Sequence, residues 1–409
     1  ASDVYKRQVD ESIAEDILAT QADTAVVVGT VSDYLTAKGD AKLYNINLPA
    51  GVYLQAQLTT PANADLDYDL YLLDAEGNIL TGSDYYTYIN GTAGTLPEAL
   101  GYITSGDTAT YYLYVLASEG GSVSESFTLD YSVSTACDSY EIDESVRQAL
   151  AFTYGAGGAY IESRNLSSPI DNDWYVITVP SSRIYDKLKI SATTASTNTC
   201  SVEVYQNVAS EGYQMKRVGS GNTISVSSGK YYIRVSNAKT MENFDDLDIQ
   251  NYKLSITPIL KATGIVITDL KGSEGLNKVV NYPGYGAHFR TQGSGTLTVY
   301  GVLTATDSST GVTYAVGGEQ INGLYYSPAW EANNTSANAI RRGTGTTDSS
   351  GKFEIDISLP PGIGVYSYYG STSTHYFDIC GVSVSPSDDS SISASETIFH
   401  LAYTMYHPF

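Results

Sequence analysis

The sequence predicts an all-β protein built of tandem antiparallel β-sandwich modules, and three observations predict it. Tyr, Thr, Ser, Gly and Val dominate, with 36 Tyr and only 12 Pro among 409 residues, a mixture that suits pleated, half-buried surfaces better than helices. Apolar and polar residues alternate in short runs bounded by Gly, Asn and Ser clusters, the period-2 signal of strands joined by tight turns. The order of features in residues 9–134 recurs in residues 137–258, so one unit is used twice. A chain of this length exceeds what one core serves, and three modules are expected, at 9–135, 136–259 and 260–409.

Residues 1–8 stand apart. Asp3-Val4-Tyr5-Lys6-Arg7-Gln8 resembles a translated transposon adaptor of the kind used in sequencing libraries, and this stretch is expected to lie outside the fold as a scar. The true beginning would then be missing, and the lack of a signal peptide would not count against secretion.

The first copy of the repeat opens on Val9-Asp10-Glu11-Ser12 and the second on Tyr140-Glu141-Ile142-Asp143-Glu144-Ser145, each an acidic lead-in before a short apolar stretch. Residues 40–49 then align with residues 171–180 at a shift of 131 without a gap. Tyr44, Ile46 and Leu48, like Tyr175, Ile177 and Val179, stand two apart, so each set shares one sheet face and should point inward. Pro49 and Pro180 end the strand. Further on, Tyr111-Tyr112-Leu113-Tyr114-Val115 matches Tyr231-Tyr232-Ile233-Arg234-Val235, and Phe127 to Val133 matches Tyr252 to Ile256. These read as closing strands. The clusters between, such as Ala75-Glu76-Gly77-Asn78 and Ser220-Gly221-Asn222, supply the positive-φ positions of tight turns.

These features together resemble bacterial pre-peptidase C-terminal domains. The matching residues are Tyr140-Glu141, Asp143 and Asp171-Asn172-Asp173-Trp174-Tyr175 in the second copy, and the Asp-rich strand from Asp67 to Asp74 in the first. The resemblance covers about three-fifths of the chain. It implies jelly-roll or immunoglobulin-like sandwiches of the type appended to secreted peptidases and surface proteins, some of which bind calcium near the lead-in or attach to polymers. Two departures stand out: Ser201-Val202-Glu203-Val204-Tyr205 replaces the Asp-rich strand in copy two, and Lys42 stands where copy two has Asp173.

After Thr257-Pro258 the texture changes. Thr296 to Leu303 alternates as a strand, and Thr347-Asp348-Ser349-Ser350-Gly351 sets a turn before the strand Lys352 to Ile357. This unit resembles prealbumin-like or immunoglobulin-like β modules, relative to which Gly317 to Arg342 is an insertion expected as a long loop or an extra hairpin on a binding rim.

Charge and motifs narrow the function. Charged residues make up 16% and the formal net charge is -23; such a field repels nucleic acid, and no Lys/Arg run offsets it locally. No apolar run approaches the roughly 20 residues that cross a bilayer. The three cysteines, Cys137, Cys200 and Cys380, have no metal or redox spacing, leaving either a Cys137–Cys200 pair or three free thiols. None of the four histidines sits in a metal-ligand motif, and no nucleophile elbow, Walker loop or dinucleotide fingerprint is present. Ser371 and Ser373 with His375 and Asp378 lie too close along one strand to converge as a triad.

One metal-site hypothesis has substance. Calcium takes six to eight hard oxygen ligands, and Glu141, Asp143, Asp171 and Asp173 place carboxylates at the lead-in and strand start of copy two, with Asp10, Glu11 and Asp40 the counterpart in copy one. The same residues also suit side-chain-to-backbone turns and solvated strand ends. Asp65, Asp67, Asp69 and Asp74 read as the polar face of a half-exposed sheet. Tyr85-Tyr86 and Tyr325-Tyr326 with Trp330 lie in loop-like surroundings where rings can stack on sugars or meet a protein surface, or else pack across strands. The expectation is a non-catalytic secreted or cell-surface protein that binds a polymeric ligand, polysaccharide or protein. The alternatives are the accessory region of an exoenzyme with its catalytic domain upstream, and a hydrolase concealed in the last unit.

Overall fold

The computed structural model describes residues 15–16, 26–63, 65–84, 86–89, 92–93, 96–135, 137–194, 200–208, 214–220, 222–237, 250–272, 280–282, 286–292, 294–332, 339–362, 364–367 and 378–405. The chain forms two compact units, Ala1–Ser181 with Lys187–Ile259, and Ser182–Asp186 with Leu260–Phe409. Both copies of the repeat fall in the first. Its strands are β1 (Glu15–Asp16), β2 (Val26–Asp33), β3 (Ala41–Leu48), β4 (Tyr53–Thr59), β5 (Asp67–Leu73), β6 (Ile79–Ser83), β7 (Tyr86–Ile89), β8 (Thr92–Ala93), β9 (Glu98–Ile103), β10 (Ala109–Glu119) and β11 (Phe127–Ser134) from copy one. Copy two gives β12 (Leu150–Ala151), β13 (Ala159–Leu166), β14 (Asn172–Val179), β15 (Tyr185–Thr194), β16 (Cys200–Asn207), β17 (Gln214–Ser220), β18 (Thr223–Ser225), β19 (Gly229–Asn237) and β20 (Gln250–Leu260).

Copy one is a sandwich of the sheets β1-β3-β10-β5-β6 and β2-β11-β4-β9; copy two repeats that path strand for strand as β12-β14-β19-β16-β17 and β13-β20-β15-β18. The register agrees as well, for Tyr44 faces Leu113 across the β3–β10 ladder and Tyr175 faces Ile233 across β14–β19. Tyr44, Ile46, Leu48, Tyr175, Ile177 and Val179 are all buried, each inward side chain of this size contributing about 1.5–3 kcal/mol of transfer free energy. The long ladders are antiparallel, while the short edge strands β1 and β12 run parallel to β3 and β14. Copy two's first sheet continues through β7 and β8 of copy one, since β7 runs parallel to β17 with Tyr86 opposite Gln214. Leu96 of copy one also packs with Val146, Trp174, Tyr205 and Met215.

Strand β4 decides what copy one presents to copy two. Leu54, Ala56 and Leu58 enter copy one's core, so Tyr53, Gln55 and Gln57 project from the other face of the sheet. Tyr53 and Gln55 are nevertheless only 1% exposed, because copy two covers them. Asp69 corrects the expectation of a solvated polar face on β5: it is buried, accepting from the Tyr71 hydroxyl at 3.2 Å and the Ser118 hydroxyl at 3.3 Å.

The second unit holds β21 (Gly264–Lys271), β22 (Val280–Tyr282), β23 (Gly286–Gln292), β24 (Gly295–Thr306), β25 (Thr313–Ala315), β26 (Gln320–Tyr326), a short helix α1 (Pro328–Ala332), β27 (Ile340–Thr346), β28 (Lys352–Leu359), β29 (Gly364–Ser367), β30 (Asp378–Pro386) and β31 (Ala394–Met405). One sheet joins β21, β24 and β25 with β28 on β24, and the other runs β22-β23-β31-β30-β26-β27 with β29 on β31. Leu297, Val299, Phe353, Ile355, Ile321, Tyr325, Val382 and Ile398 fill the core between them. Gly301 is required where β24 meets β28, since a Cβ there would lie 2.2 Å from the Phe353 ring. The segment read as an insertion supplies β26 and β27, which pair with each other inside the sheet.

Candidate metal centre

The lead-in of copy two lies against the outer face of copy one's sheet, and strand β14 starts beside it. The Trp174 amide donates to the Asp143 carbonyl at 2.9 Å, which ties the lead-in to β14. Five carboxylates meet here: Glu141, Asp143 and Glu144 from the lead-in, and Asp171 and Asp173 from the start of β14. Asp143, Glu144, Asp171 and Asp173 are at most 1% exposed, and Glu141 is half-buried. Oxygens of Glu141, Glu144 and Asp171 lie within 4.8 Å of one another, as do those of Glu141, Asp143 and Asp173, so Glu141 belongs to two adjoining trios. Oxygens on opposite sides of a calcium ion, each at about 2.4 Å, stand about 4.8 Å apart. The oxygens of each trio fall within that span.

Every member has one oxygen engaged and the other unpaired. Glu141 Oε2 accepts from the Tyr53 hydroxyl at 2.8 Å, and Glu144 Oε1 from Gln55 Nε2 at 2.7 Å. Asp171 Oδ2 accepts from the Ser167 amide and, at 2.8 Å, from its hydroxyl. Asp143 Oδ2 meets Arg164, and Asp173 Oδ2 meets the Tyr252 hydroxyl and, at 3.3 Å, Arg164. Glu141 Oε1, Asp143 Oδ1, Glu144 Oε2, Asp171 Oδ1 and Asp173 Oδ1 are buried without a partner. An orphaned buried acceptor costs about 1–3 kcal/mol, and more when it is charged.

Electrostatics gives the same picture. Burial, followed by the Asp171 and Glu144 charges, pushes the Glu141 carboxyl up to about 9. Burial raises Asp171 to about 6 against the pull of the Ser167 hydrogen bonds. Asp143, Glu144 and Asp173 are driven well above the ordinary carboxylate range, by burial first and by their acidic neighbours next. Arg164, fully buried, reaches Asp138 at 2.7 Å as well as Asp143 and Asp173, and its Nε donates to the Tyr175 hydroxyl at 2.7 Å. One guanidinium thus pairs with three of the acids, and Glu141, Glu144 and Asp171 have no ion pair with it. Both trios are all-oxygen, with no His or Cys member, a donor set that fits calcium and not zinc.

The structure brings Glu141, Asp143, Asp171 and Asp173 together. Glu144, Asp138, Arg164, Tyr53 and Gln55 were missed at the sequence level; the Glu144 that directly follows Asp143 in the acidic lead-in was the one available signal. Of copy one's counterpart only Asp40 is described. Asp10 and Glu11 lie outside the described residues, and Asp40 Oδ2 is taken by the Thr36 amide at 2.9 Å, the Thr36 hydroxyl at 2.5 Å and the Ala37 amide at 3.0 Å. Asp40 closes a turn there and is absent from both trios.

The aromatic expectations fare unevenly. Tyr85 lies outside the described residues, and Tyr86 is placed by its backbone in β7. Tyr325 is a correction: it sits in β26 at 0% exposure, its hydroxyl 2.7 Å from His400 Nδ1, because the alternation of β26 turns it into the core with Ile321. Tyr326, on the opposite face, binds Glu331, and Trp330, in α1, donates its indole N–H to the Pro361 carbonyl at 2.9 Å. Ser371, Ser373 and His375 lie outside the described residues; Asp378 accepts from Ser327 and, at 3.1 Å, from Cys380. None of the three cysteines is in a disulfide. Among the described residues no helix is long and apolar enough to cross a membrane.

Fold and site define a β-sandwich protein with an acidic, buried candidate cation centre. No family model matches the chain. It is similar to YlqB of Bacillus subtilis, an uncharacterised protein, at 36% identity over 74 residues, which is 18% of this chain and 46% of that relative, so the chain spans about half the length of the curated relative it matches. Among solved structures it is similar to the pre-peptidase C-terminal domain of Bacillus anthracis collagenase at 14% identity, covering 30% of this chain and 92% of that one with a TM-score of 0.19. It is also similar to the lysozyme inhibitor PliG of Aeromonas hydrophila at 10% identity, covering 29% and 96% with a TM-score of 0.20. The CBM22 tandem domain of Paenibacillus barcinonensis Xyn10C is similar at 11% identity, covering 58% and 92% with a TM-score of 0.18. Likenesses this distant leave the function to be argued from the site.

Proposed function

We propose that the protein is a non-catalytic binding protein that acts outside the cell, holding a polymeric ligand, polysaccharide or protein, on β-sandwich modules whose second copy takes up calcium. The observation that carries the reading is the five-carboxylate cluster, one oxygen of each member buried and unpaired. Glu141, Glu144 and Asp171 would hold one ion, and Asp143 and Asp173 would serve, with Glu141, at the adjoining position. The ion supplies positive charge and oxygen coordination, and so relieves the acids of protons they otherwise keep. Extracellular modules bind calcium at about 10⁻⁴–10⁻³ M, which sets the calcium range for the test. The net charge of -23 points to neutral rather than polyanionic polymers.

The test is thermal unfolding of the full chain with millimolar calcium against chelator. An ion bound by the native state alone stabilises by RT ln(1 + c/Kd) at free calcium concentration c, about 1.4 kcal/mol at ten times its Kd, and a rise in midpoint is expected. Equal midpoints remove the metal reading. Affinity electrophoresis against neutral polysaccharides and protein polymers tests the ligand, and retardation by none of them removes the binding role.

A further inference from the structure

Copy one reaches into the centre through a residue that is not an acid. Gln55 lies on β4 with its side chain on the face turned away from copy one's own core, and it is 1% exposed. Its Nε2 donates to Glu144 Oε1 at 2.7 Å, and its amide lies close enough to Asp171 to help hold that carboxyl down. The head of Gln55 therefore stands between two of the three members of one trio. Its Oε1 is buried with no partner. A buried amide oxygen without a donor is as costly as any other orphan, and side-chain amide oxygens are among the neutral ligands calcium accepts.

The strand beside it is shaped to the same end. Gly101 of β9 is directly opposite Gln55 in the ladder, and a Cβ at Gly101 would lie 2.3 Å from Glu144 Oε2, the unpaired oxygen of that carboxylate. A larger residue there would force the Glu144 carboxylate or the Ile142 side chain to shift. Tyr53, two residues before Gln55 and on the same face, fixes Glu141. Asn172, at the start of β14, reaches back to Gln57 at 3.2 Å. Three consecutive outer-face positions of β4 are thus engaged by the metal-site segment of copy two.

We propose that the amide oxygen of Gln55 is a ligand of the ion held by Glu141, Glu144 and Asp171, so that the centre is shared between the two copies of the repeat and calcium ties them together. The inference rests on the calcium reading above and assigns it a ligand from the other copy. A neutral fourth oxygen also raises the coordination number without adding to a surplus of negative charge.

The experiment uses the full chain, with calcium titrated calorimetrically and terbium followed by tyrosine-sensitised luminescence. Gln55→Leu is expected to weaken calcium binding at least about tenfold, the lower end of what even an outer partner of a metal ligand costs, and to lower the midpoint in chelator, because Glu144 Oε1 loses its donor. Gln55→Glu separates a ligand from a mere positioning donor. A carboxylate at 55 offers the ion a charged oxygen and tightens binding, whereas losing the N–H to Glu144 weakens it if Gln55 only orients that residue. Affinity in Gln55→Leu equal to that of the unaltered chain, or weaker binding in Gln55→Glu, overturns the assignment and leaves the calcium reading standing. Absence of calcium binding by the unaltered chain overturns both. Should Gln55→Leu fail to fold, Gln55→Asn withdraws the oxygen by one methylene while keeping the position polar, and its unchanged affinity is equally fatal to the proposal.

Discussion

The two copies of the repeat share strand order and register, yet they carry the same ion pair with its charges exchanged. In copy one Asp33 on β2 meets Lys42 on β3 at 2.7 Å; in copy two Arg164 on β13 meets Asp173 beside it on β14 at 3.3 Å, each position displaced by 131 residues. The tyrosine two residues further along takes part in both, Tyr44 donating to Asp33 at 3.0 Å and Tyr175 accepting from Arg164 at 2.7 Å. The turn before the strand is shared too: Thr36 binds Asp40 as Ser167 binds Asp171. Copy one puts an ammonium where copy two puts a carboxylate. Copy one thus meets one acid with one ammonium, whereas copy two adds Asp173 to four other acids around one guanidinium, and on the proposed reading calcium supplies the balance. Turn and metal readings of Asp171 are therefore compatible, because the turn uses one carboxylate oxygen and leaves the other.

The sharpest way to break this comparison is to remove the cation from each copy. Arg164→Met strips a buried guanidinium from Asp138, Asp143 and Asp173, and breaking a buried pair from one side costs about 3–5 kcal/mol. In chelator the urea midpoint followed by Trp174 fluorescence is expected to fall accordingly, with calcium restoring part of the loss. A cost no greater than that of removing Lys42 from copy one would show that the exchange of charges carries no consequence.

How much of this could be read in the chain follows from which contacts are local. Tyr44, Ile46 and Leu48 declare their face by alternation within one strand, and the same alternation in Tyr175, Ile177 and Val179 identifies the second copy. Glu141, Asp143, Asp171 and Asp173 were legible because hard acids cluster at two ends that a sandwich brings together. Gln55 and Tyr53 were not, for Tyr53-Leu54-Gln55-Ala56-Gln57-Leu58 reads as an ordinary strand with one solvated face, and only the packing of copy two buries that face. Arg164 sits among exposed neighbours on β13, and its burial depends on acids about 10 to 25 residues away along the chain. Tyr325 was misplaced for the opposite reason: Ile321, Gly323 and Tyr325 alternate inward, but the neighbouring aromatics drew attention to a surface.

Copy one has an acid of its own that sharpens the contrast by responding to pH without a metal. Burial first, then the charges of Asp67 and Asp84, push Asp69 up to about 7. The folded chain keeps this proton until about pH 7, whereas the unfolded chain releases it near pH 3.9. Between those limits the unfolded state binds fewer protons, so this group's contribution makes stability fall as pH rises and then level off above pH 7. Asp69→Asn is expected to abolish that slope and to stabilise the protein by up to a few kcal/mol at pH 8 while changing little at pH 4. Midpoints measured across the range, with chelator throughout, check it; a slope unchanged by Asp69→Asn would place the titration elsewhere.

The smallest effect belongs to the pair that copy one keeps for itself. Lys42 and Asp33 have side chains 36% and 20% exposed, and water and salt screen such a pair to about 0.2–1 kcal/mol. Burial works against the Asp33 carboxylate, but the hydrogen bond and charge of Lys42, with those of Tyr34 and Tyr44, hold its pKa below the usual value. The stabilisation is therefore present above the unfolded pKa of about 3.9 and is lost as pH falls through the lower folded value. Lys42→Met should remove a fraction of a kcal/mol at neutral pH, less at high salt, with the same increment in calcium and in chelator. Hydrogen exchange of the β3 and β10 amides reads this copy directly. An increment that depended on calcium would mean that the ammonium of copy one and the carboxylates of copy two answer to the same ion, and the two copies would no longer be alternative solutions to one charge problem.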